Sequence, residues 1–195
     1  MIAAQLAGIS VFATGGIGGV HRGAETSFDI SADLHELAQT AVTVVAAGAK
    51  AILDLDKTFE VLETLGVPVI AYGQDTLPAF WSATSDMPAP LRMDSAAEIA
   101  RAQIMRSAMG LSGGQLVCNP IPSDAQIPAE VLAPVIAQAL SEADAQNISA
   151  KAVTPFLLGR IFELTEGRSL TANIALVRNN ARLAAKIAAE MVNQA

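Results

Sequence analysis

The chain has 195 residues, of which 52% are hydrophobic and only 16% are charged, and its formal net charge is −7 at pH 7. This length predicts a single domain with a sizeable apolar core, and the composition excludes intrinsic disorder. The acidic balance argues against a nucleic-acid-binding surface. The single cysteine, Cys118, rules out an internal disulfide and a CxxC zinc site, and it suits a reducing compartment.

The N-terminal segment is apolar, and no charged side chain precedes Arg22. A secretory signal peptide needs a basic first region, which is missing here. A membrane helix needs about 20 apolar residues, and glycines and hydroxyl side chains interrupt this stretch. We therefore interpret the uncharged stretch before Arg22 as part of the interior of a soluble protein and predict no membrane contact. A chain that begins inside a core pattern also suggests truncation at its N-terminus.

Apolar runs and helix signals alternate along the first two thirds of the chain. In chain order we predict a strand at 9–13, a helix at 31–39, a strand at 42–47, a helix at 51–65, a strand at 67–71, an ordered loop at 74–90, a helix ending at 109, a strand at 115–118, and helices at 128–146, 155–165 and 170–193.

Three of these helices carry sequence signals for an N-terminal cap. Asp33 with Glu36 forms a possible capping box for the helix at 31–39, and Ser31 is the rival cap. Ser95 with Glu98 predicts a second box, and Ser169 is the predicted cap of the last helix.

Strands that alternate with helices predict an α/β fold with a mostly parallel sheet, helices on both faces and a helical C-terminal third. In such folds ligands bind at the carboxyl ends of the strands. The segments at those ends are 14–23, 46–50, 72–76 and 118–122, and we expect the chemistry there.

The segment 14–23 contains five glycines in ten residues. Glycines let the backbone approach a ligand closely and present N–H groups to an anion. The dinucleotide fingerprint GxGxxG is not met, because His21 occupies the third glycine position after Gly16 and Gly18. We favour ligand binding over a loop that is merely demanding in conformation.

Lys50 follows the strand at 42–47 and has small residues on both sides. Partial desolvation of a lysine in such a place favours the neutral, nucleophilic amine. The alternative is a lysine that extends into solvent from the start of a helix. The residues alone leave both interpretations open.

Asp29 and Asp33 lie four residues apart near the glycine loop. Two carboxylates there can hold a hard cation or orient a hydroxyl, although their spacing alone favours a helix cap and a solvated loop residue. His21 is a candidate acid–base group, and Asn173 is either a binding residue or a capping partner in the last helix. Cys118 is expected to pack in the core.

Several long stretches of the sequence, in order and over nearly the whole chain, resemble the pseudouridine-5'-phosphate glycosidase family. They are VFATGGIGGVHRGAETSFDISADL, AGAKAILDL, TLGVPVIAYG, LPAFW, MDSAAEIARA, NPIP, TPFLLGRI and SLTANIALVRNNARLAAKIA. The resemblance implies reversible cleavage of the carbon–carbon glycosidic bond of pseudouridine 5'-phosphate to uracil and ribose 5-phosphate.

The resemblance also implies which residues act. Lys50 matches the lysine that forms an imine with the ring-opened sugar, and Asp29 matches the ligand of a divalent cation, usually Mn²⁺. The family's substrate-binding segment falls on Ser31, Ala32 and Asp33. Further positions that line the same pocket in the family are Thr14, His21 and Asn173. A homotrimer in the cytoplasm, with no nucleic-acid or membrane partner, is implied as well.

The sequence departs from the family in one respect. Members carry a longer N-terminal region, which contributes the proton-donating acid and a second substrate-contacting lysine. We therefore expect residues 1–195 to form one glycosidase-like domain truncated at the N-terminus, with Glu25 and Asp54 as the remaining candidate acids. The alternative is a catalytically impaired remnant that keeps phosphosugar or metal binding and needs an N-terminal partner. An imine-forming sugar-phosphate aldolase is a third possibility outside the family.

Overall fold

The computed structural model describes residues 1–146, 148 and 152–194. The strands of this part of the chain are β1 Val11–Ala13, β2 Thr43–Ala46, β3 Val69–Tyr72, β4 Leu91–Met93 and β5 Gln115–Cys118. The helices are α1 Ile2–Leu6, α2 Ala24–Ser27, α3 Ala32–Gln39, α4 Leu55–Thr64, α5 Ala96–Ala108, α6 Ala129–Ala145, α7 Val153–Leu164 and α8 Arg168–Gln194.

The five strands form one sheet in the order β1-β2-β5-β3-β4, and every neighbouring pair is parallel. The central strands β2 and β5 are buried at every position, as expected for strands that helices cover on both faces. The α/β class with a parallel sheet, predicted from the alternating pattern, is confirmed.

Alternate side chains of the strands enter two apolar cores, one on each face of the sheet. Val45, Ile70 and Val117 pack in one core with residues of α5 and α8, including Ile99 and Ile187. The other core receives the intervening strand residues and side chains from α3, α4, α6 and α7.

Cys118 belongs to this second core, as expected from the sequence. Its side chain is fully buried, and burial raises the pKa of its thiol to about 12. The neutral thiol therefore behaves as a small apolar group, so it is a packing residue rather than a nucleophile.

Several elements differ from the predicted ones, and the short helices α1 and α2 were not predicted at all. Helix α4 begins at Leu55, four residues later than predicted, because Asp54 is its N-cap and accepts a hydrogen bond from the Lys57 N–H at 3.1 Å. The residues between Lys50 and Asp54 form a turn, in which the Leu53 N–H donates to the Lys50 carbonyl at 3.0 Å. Strand β4 was not predicted, since it is short, lies at the sheet edge and is largely exposed.

The predicted caps have mixed outcomes. The capping box of Ser95 and Glu98 is confirmed at the start of α5. The box predicted for Asp33 and Glu36 is wrong, because Ser31 is the N-cap of α3 and its Oγ accepts from the Asp33 N–H at 3.3 Å. Ser169 does not cap the last helix either, since it is buried inside α8.

The interpretation of the uncharged stretch before Arg22 as interior is confirmed for residues 17–20, which are buried, and is wrong for residues 1–8. Residues 1–8 contain the short helix α1, on which Ile2 is 58% exposed and Leu6 is 84% exposed. Within the part of the chain that the structure describes, no helix is both long enough and apolar enough to cross a membrane. The neighbouring strand β1 lies at the edge of the sheet and leaves Phe12 partly exposed.

Candidate functional site

The glycine loop and the segment that carries Lys50 run side by side beyond the carboxyl ends of β1 and β2. The Ala47 N–H donates to the Gly15 carbonyl at 2.8 Å, and the Ile17 N–H donates to the Gly48 carbonyl at 3.1 Å. The Lys50 N–H then donates to the Ile17 carbonyl at 3.2 Å. Lys50 itself is half-buried. Its backbone position is therefore set by the glycine loop.

Phe80 closes the loop on one side. Its N–H donates to the Ala47 carbonyl at 3.0 Å, and its ring is so near Gly16 that a Cβ there would lie 2.7 Å from two ring carbons. Phe80 has a φ of +60°, a left-handed conformation that is costly for a bulky residue. The close approach explains why residue 16 is a glycine.

The start of helix α3 packs against the same loop. The Gly18 N–H donates to Asp33 Oδ2 at 2.7 Å, and the Ser31 N–H donates to the Gly19 carbonyl at 2.9 Å. Ala32, between them, is exposed. The structure thus brings the predicted substrate-binding segment to the glycine loop, and one carboxylate oxygen of Asp33 is already engaged by the protein.

Thr14 and Asn173 lie on the opposite side of the loop. The Thr14 N–H donates to the Val45 carbonyl at 3.0 Å, which extends the pairing of β1 with β2. Asn173 Oδ1 lies 3.3 Å from the point that a Cβ on Gly15 would occupy. The first half of α8 therefore faces the glycine loop, as the predicted pocket requires.

His21 and Asp29 face each other in the turn that follows the loop. Their side-chain atoms Nδ1 and Oδ2 are 3.9 Å apart, and the His21 N–H donates to the Asp29 carbonyl at 3.0 Å. Among residues 1–146, 148 and 152–194, no group of three His, Cys, Asp or Glu side chains is placed to hold a metal ion. His21 and Asp29 fit a cation only if the Asp29 carboxylate binds it and several waters or phosphate oxygens complete its coordination.

The candidate acids Glu25 and Asp54 flank Lys57, whose Nζ lies 3.0 Å from the first carboxylate and 2.9 Å from the second. A backbone hydrogen bond and the hydrogen bond from Lys57 lower the pKa of Glu25. Partial burial works against ionisation of Asp54, but the hydrogen bonds from Lys57 outweigh it and lower the pKa of that carboxyl. Both groups are therefore poor proton donors near neutral pH.

Two buried amides beneath the loop, Asn180 and Asn119, were not among the predicted site residues. Asn180 is fully buried, and its Nδ2 donates to the Thr14 carbonyl at 2.8 Å and lies 3.3 Å from the Gly15 carbonyl. Asn119 is 3% exposed and donates from Nδ2 to Asn180 Oδ1 at 3.0 Å. A signal for the first was present, because residue 180 continues the apolar face of α8.

Two cavities lie beside the candidate residues. One, of about 550 Å³, lies between α6 and the turn after Lys50 and is lined by Arg22, Ala51 and Asp144 among others. The second, of about 630 Å³, lies beside α4. Neither cavity is lined by Lys50 or Asp29. The candidate site is therefore the cluster of residues around the glycine loop.

A parallel sheet that presents a glycine loop and a half-buried lysine at its carboxyl edge defines an α/β protein whose candidate ligand site lies at the strand ends. The sequence profile of the family described as indigoidine synthase A like protein matches residues 1–190. The chain belongs to this family.

Two bacterial proteins of known name are closely similar to this chain. The pseudouridine-5'-phosphate glycosidase of Paracoccus denitrificans (strain Pd 1222) is 76% identical over 191 residues, which cover 98% of this chain and 63% of the relative. The protein of the same name from Jannaschia sp. (strain CCS1) is 73% identical over 188 residues, which cover 96% and 62%. This chain thus spans slightly less than two thirds of the length of these curated relatives.

A solved structure shows the same fold. The prealnumycin C-glycosynthase AlnA, crystallised in complex with ribulose 5-phosphate, matches with a TM-score of 0.92 at 38% sequence identity. The match covers 99% of this chain and 64% of that protein.

Proposed function

We propose that this chain carries the imine-forming site of a pseudouridine-5'-phosphate glycosidase. The observation that carries the proposal is the position of Lys50, which is held by the glycine loop at the carboxyl edge of the sheet. The other described lysines are less suited to the role, since Lys57 is engaged by two carboxylates and Lys186 is exposed on α8. The names of the curated relatives and the sugar-phosphate complex of the solved relative support the same chemistry.

The proposed reaction is balanced by one water molecule. The neutral Lys50 Nζ bonds to C1' of the sugar as the bond from C1' to the ring oxygen breaks, and a proton of the amine passes to that oxygen, which becomes a hydroxyl. The nitrogen lone pair then forms a C=N bond while the bond from C1' to uracil breaks. The electron pair of that bond stays on the uracil carbon, which takes up a proton. Water hydrolyses the imine, which releases ribose 5-phosphate and restores the free amine.

The glycine loop supplies the binding part of the proposal. Its backbone can approach a phosphosugar closely at the end of a buried strand, where N–H groups and the start of α3 favour an anion. Thr14, His21 and Asn173 stand around this loop and are proposed to contact the sugar. Ser31, Ala32 and Asp33 are proposed to bind the substrate at the start of α3.

The test uses the reverse half-reaction, because imine formation needs only the amine and the aldehyde of ribose 5-phosphate. The chain is incubated with ribose 5-phosphate and borohydride, and the adduct is located by peptide mass mapping. We expect one adduct per chain, on the peptide that contains Lys50, and a much weaker signal with unphosphorylated ribose. Absence of an adduct, or adducts spread over all lysines, would refute the proposal.

We propose Asp29 as the protein ligand of a Mn²⁺ ion. When bound, a divalent cation would supply positive charge next to the phosphosugar. Removing the charge of the one carboxylate in the Asp29→Asn variant should weaken Mn²⁺ binding by roughly tenfold or more. Calorimetric titration with Mn²⁺ measures this, with Asp56→Asn, at an exposed position in the first turn of α4, as the matched control. Equal Mn²⁺ affinity of the two variants would contradict the assignment.

The alternative function is a phosphosugar-binding unit that needs a partner segment for turnover. It is favoured by the exposed edge of the sheet and by the lowered pKa values of the two candidate acids. The edge strand β1 and the residues before it leave Ile9 and Phe12 exposed, on a chain that covers 63% of its Paracoccus relative. General acid catalysis contributes roughly 10²–10⁴-fold, and the pKa values of Glu25 and Asp54 are lowered. Uracil release from pseudouridine 5'-phosphate at the rate of a full-length relative would exclude this alternative.

Two further points stay predictions. The homotrimer and the cytoplasmic location implied by the resemblance rest on the sequence alone.

A sugar-phosphate aldolase would also form an imine at Lys50. It is distinguished from the glycosidase because its reaction in the synthetic direction does not depend on uracil.

A further inference from the structure

Asn180 is a buried polar side chain on the face of α8 that packs against the sheet. It is flanked on that face by Leu176 and Leu183, both buried, and is itself fully buried. A buried amide costs free energy unless its hydrogen bonds are made. Here both ends of the amide are engaged, by the Thr14 and Gly15 carbonyls on one side and by Asn119 Nδ2 on the other.

This one amide joins three segments at the carboxyl edge of the sheet. The Thr14 and Gly15 carbonyls belong to the segment after β1. Asn119 follows β5, and its own N–H donates to the Ala46 carbonyl at the end of β2, at 2.8 Å. The ends of β1 and β5 are thus tied to α8 through the Asn180 and Asn119 side chains, and the backbone N–H of Asn119 adds the end of β2.

Backbone hydrogen bonds connect the glycine loop, which Asn180 contacts, to the segment that carries Lys50. The Gly15 carbonyl also accepts from the Ala47 N–H at 2.8 Å, and the Ile17 carbonyl accepts from the Lys50 N–H at 3.2 Å. A shift of the Thr14–Gly15 carbonyls therefore moves the loop to which Lys50 is bonded. Misplacement of a reacting group by about 1 Å can cost a factor of roughly 100 in rate.

We propose that Asn180 is a positioning residue that fixes the glycine loop relative to Lys50, an inference that rests on the proposed imine chemistry. The amide fits this role because it offers two N–H donors to two neighbouring carbonyls while its oxygen accepts from Asn119. An aliphatic side chain of similar size would leave the Thr14 carbonyl and Asn119 Nδ2 without these partners, and the Gly15 carbonyl with the Ala47 N–H alone.

The Asn180→Asp variant tests the proposal with the least change in shape. It keeps an acceptor for Asn119 and replaces the N–H donors with an oxygen that faces two carbonyls. The matched control is Asn179→Asp, which makes the same chemical change one residue earlier in α8. Asn179 is half-buried, and its Nδ2 donates to the Pro120 carbonyl at 3.0 Å rather than to the glycine loop.

The readout is borohydride trapping of ribose 5-phosphate at saturating concentration, followed as a rate and as a final amount. For Asn180→Asp we expect the first-order trapping rate to fall roughly 10- to 100-fold, with the final adduct per folded chain unchanged. A purely structural role would lower the amount of folded chain, measured by circular dichroism, and leave the rate per folded chain at its wild-type value. Asn179→Asp should trap at nearly the wild-type rate.

The outcomes separate this inference from the function on which it rests. If the wild-type chain traps no adduct, the proposed function fails and this inference fails with it. If the wild-type chain traps at Lys50 and Asn180→Asp traps equally fast, the positioning role is refuted and the proposed function stands. Should Asn180→Asp not fold, Asn119→Ala decides, since it removes only the donor to Asn180 Oδ1. Its trapping rate should then fall severalfold below that of Asn179→Asp, and equal rates would overturn the inference.

Discussion

Replacing Lys50 with arginine is expected to abolish the borohydride-stable adduct with ribose 5-phosphate. The guanidinium of arginine stays protonated at any accessible pH and cannot become the neutral amine that imine formation requires. The positive charge and most of the side-chain length are kept, so the fold should be preserved. In the part of the chain that the structure describes, the Lys50 side chain forms no ion pair that the substitution would break.

The matched control for this prediction is Lys57→Arg, which keeps a cation beside Glu25 and Asp54. We expect that variant to form the adduct at the wild-type rate and the Lys50→Arg variant to form none. Intact-mass spectrometry after reduction gives both answers in one measurement. An undiminished adduct in Lys50→Arg would show that another lysine carries the reaction.

The Gly18→Ala variant is expected to lose about 2–4 kcal/mol of unfolding free energy, the sum of overpacking and a broken, partly buried hydrogen bond. A Cβ on residue 18 would lie 2.6 Å from Ser31 Cβ and 3.1 Å from Asp33 Oδ2. Rotation of the Ser31 hydroxyl does not relieve the first contact, so the loop and the start of α3 must separate. That movement breaks the 2.7 Å hydrogen bond from the Gly18 N–H to Asp33.

Gly159→Ala is the control for this variant, because a Cβ there meets no atom within 4 Å and the position lies inside helix α7. Alanine should stabilise that helix by about 0.5–1 kcal/mol. Urea unfolding followed by circular dichroism compares the two variants with the wild type. If Gly18→Ala unfolds at the wild-type midpoint, the close packing of the loop on α3 is wrong.

The parts of the fold that the sequence predicted are those in which local pattern and tertiary burial agree. Strands β2 and β5 were found because both of their faces are buried, which makes them continuous apolar runs. Strand β4 was missed because its pairing with β3 is a tertiary contact that three largely exposed residues do not signal. The start of α4 was misplaced because Asp54, a strong capping residue, was overlooked behind the apolar residues 51–53.

The candidate site was predicted only in part. The glycine loop and Lys50 were found because glycine density and a lysine after a buried strand are visible within a few residues. The position of Asn180 on the apolar face of α8 indicated its burial, but the pairing of Asn180 with Asn119 and with the glycine loop was missed because these partners lie far apart in sequence. The choice of Ser31 over Asp33 as the cap of α3 follows from the Gly18 N–H, which engages the Asp33 carboxylate across the loop.

The hydrogen bond between Asn180 and Thr14 spans 166 positions of the chain, and this separation orders the events of synthesis. All described strands have left the ribosome once residue 118 has emerged, whereas the glycine loop gains its anchor only when residue 180 follows. At about 5–20 residues per second, the loop waits on the order of ten seconds for that partner. The sheet can therefore assemble on the nascent chain well before the site does, and a premature stop between these two points would yield the strands without an anchored loop.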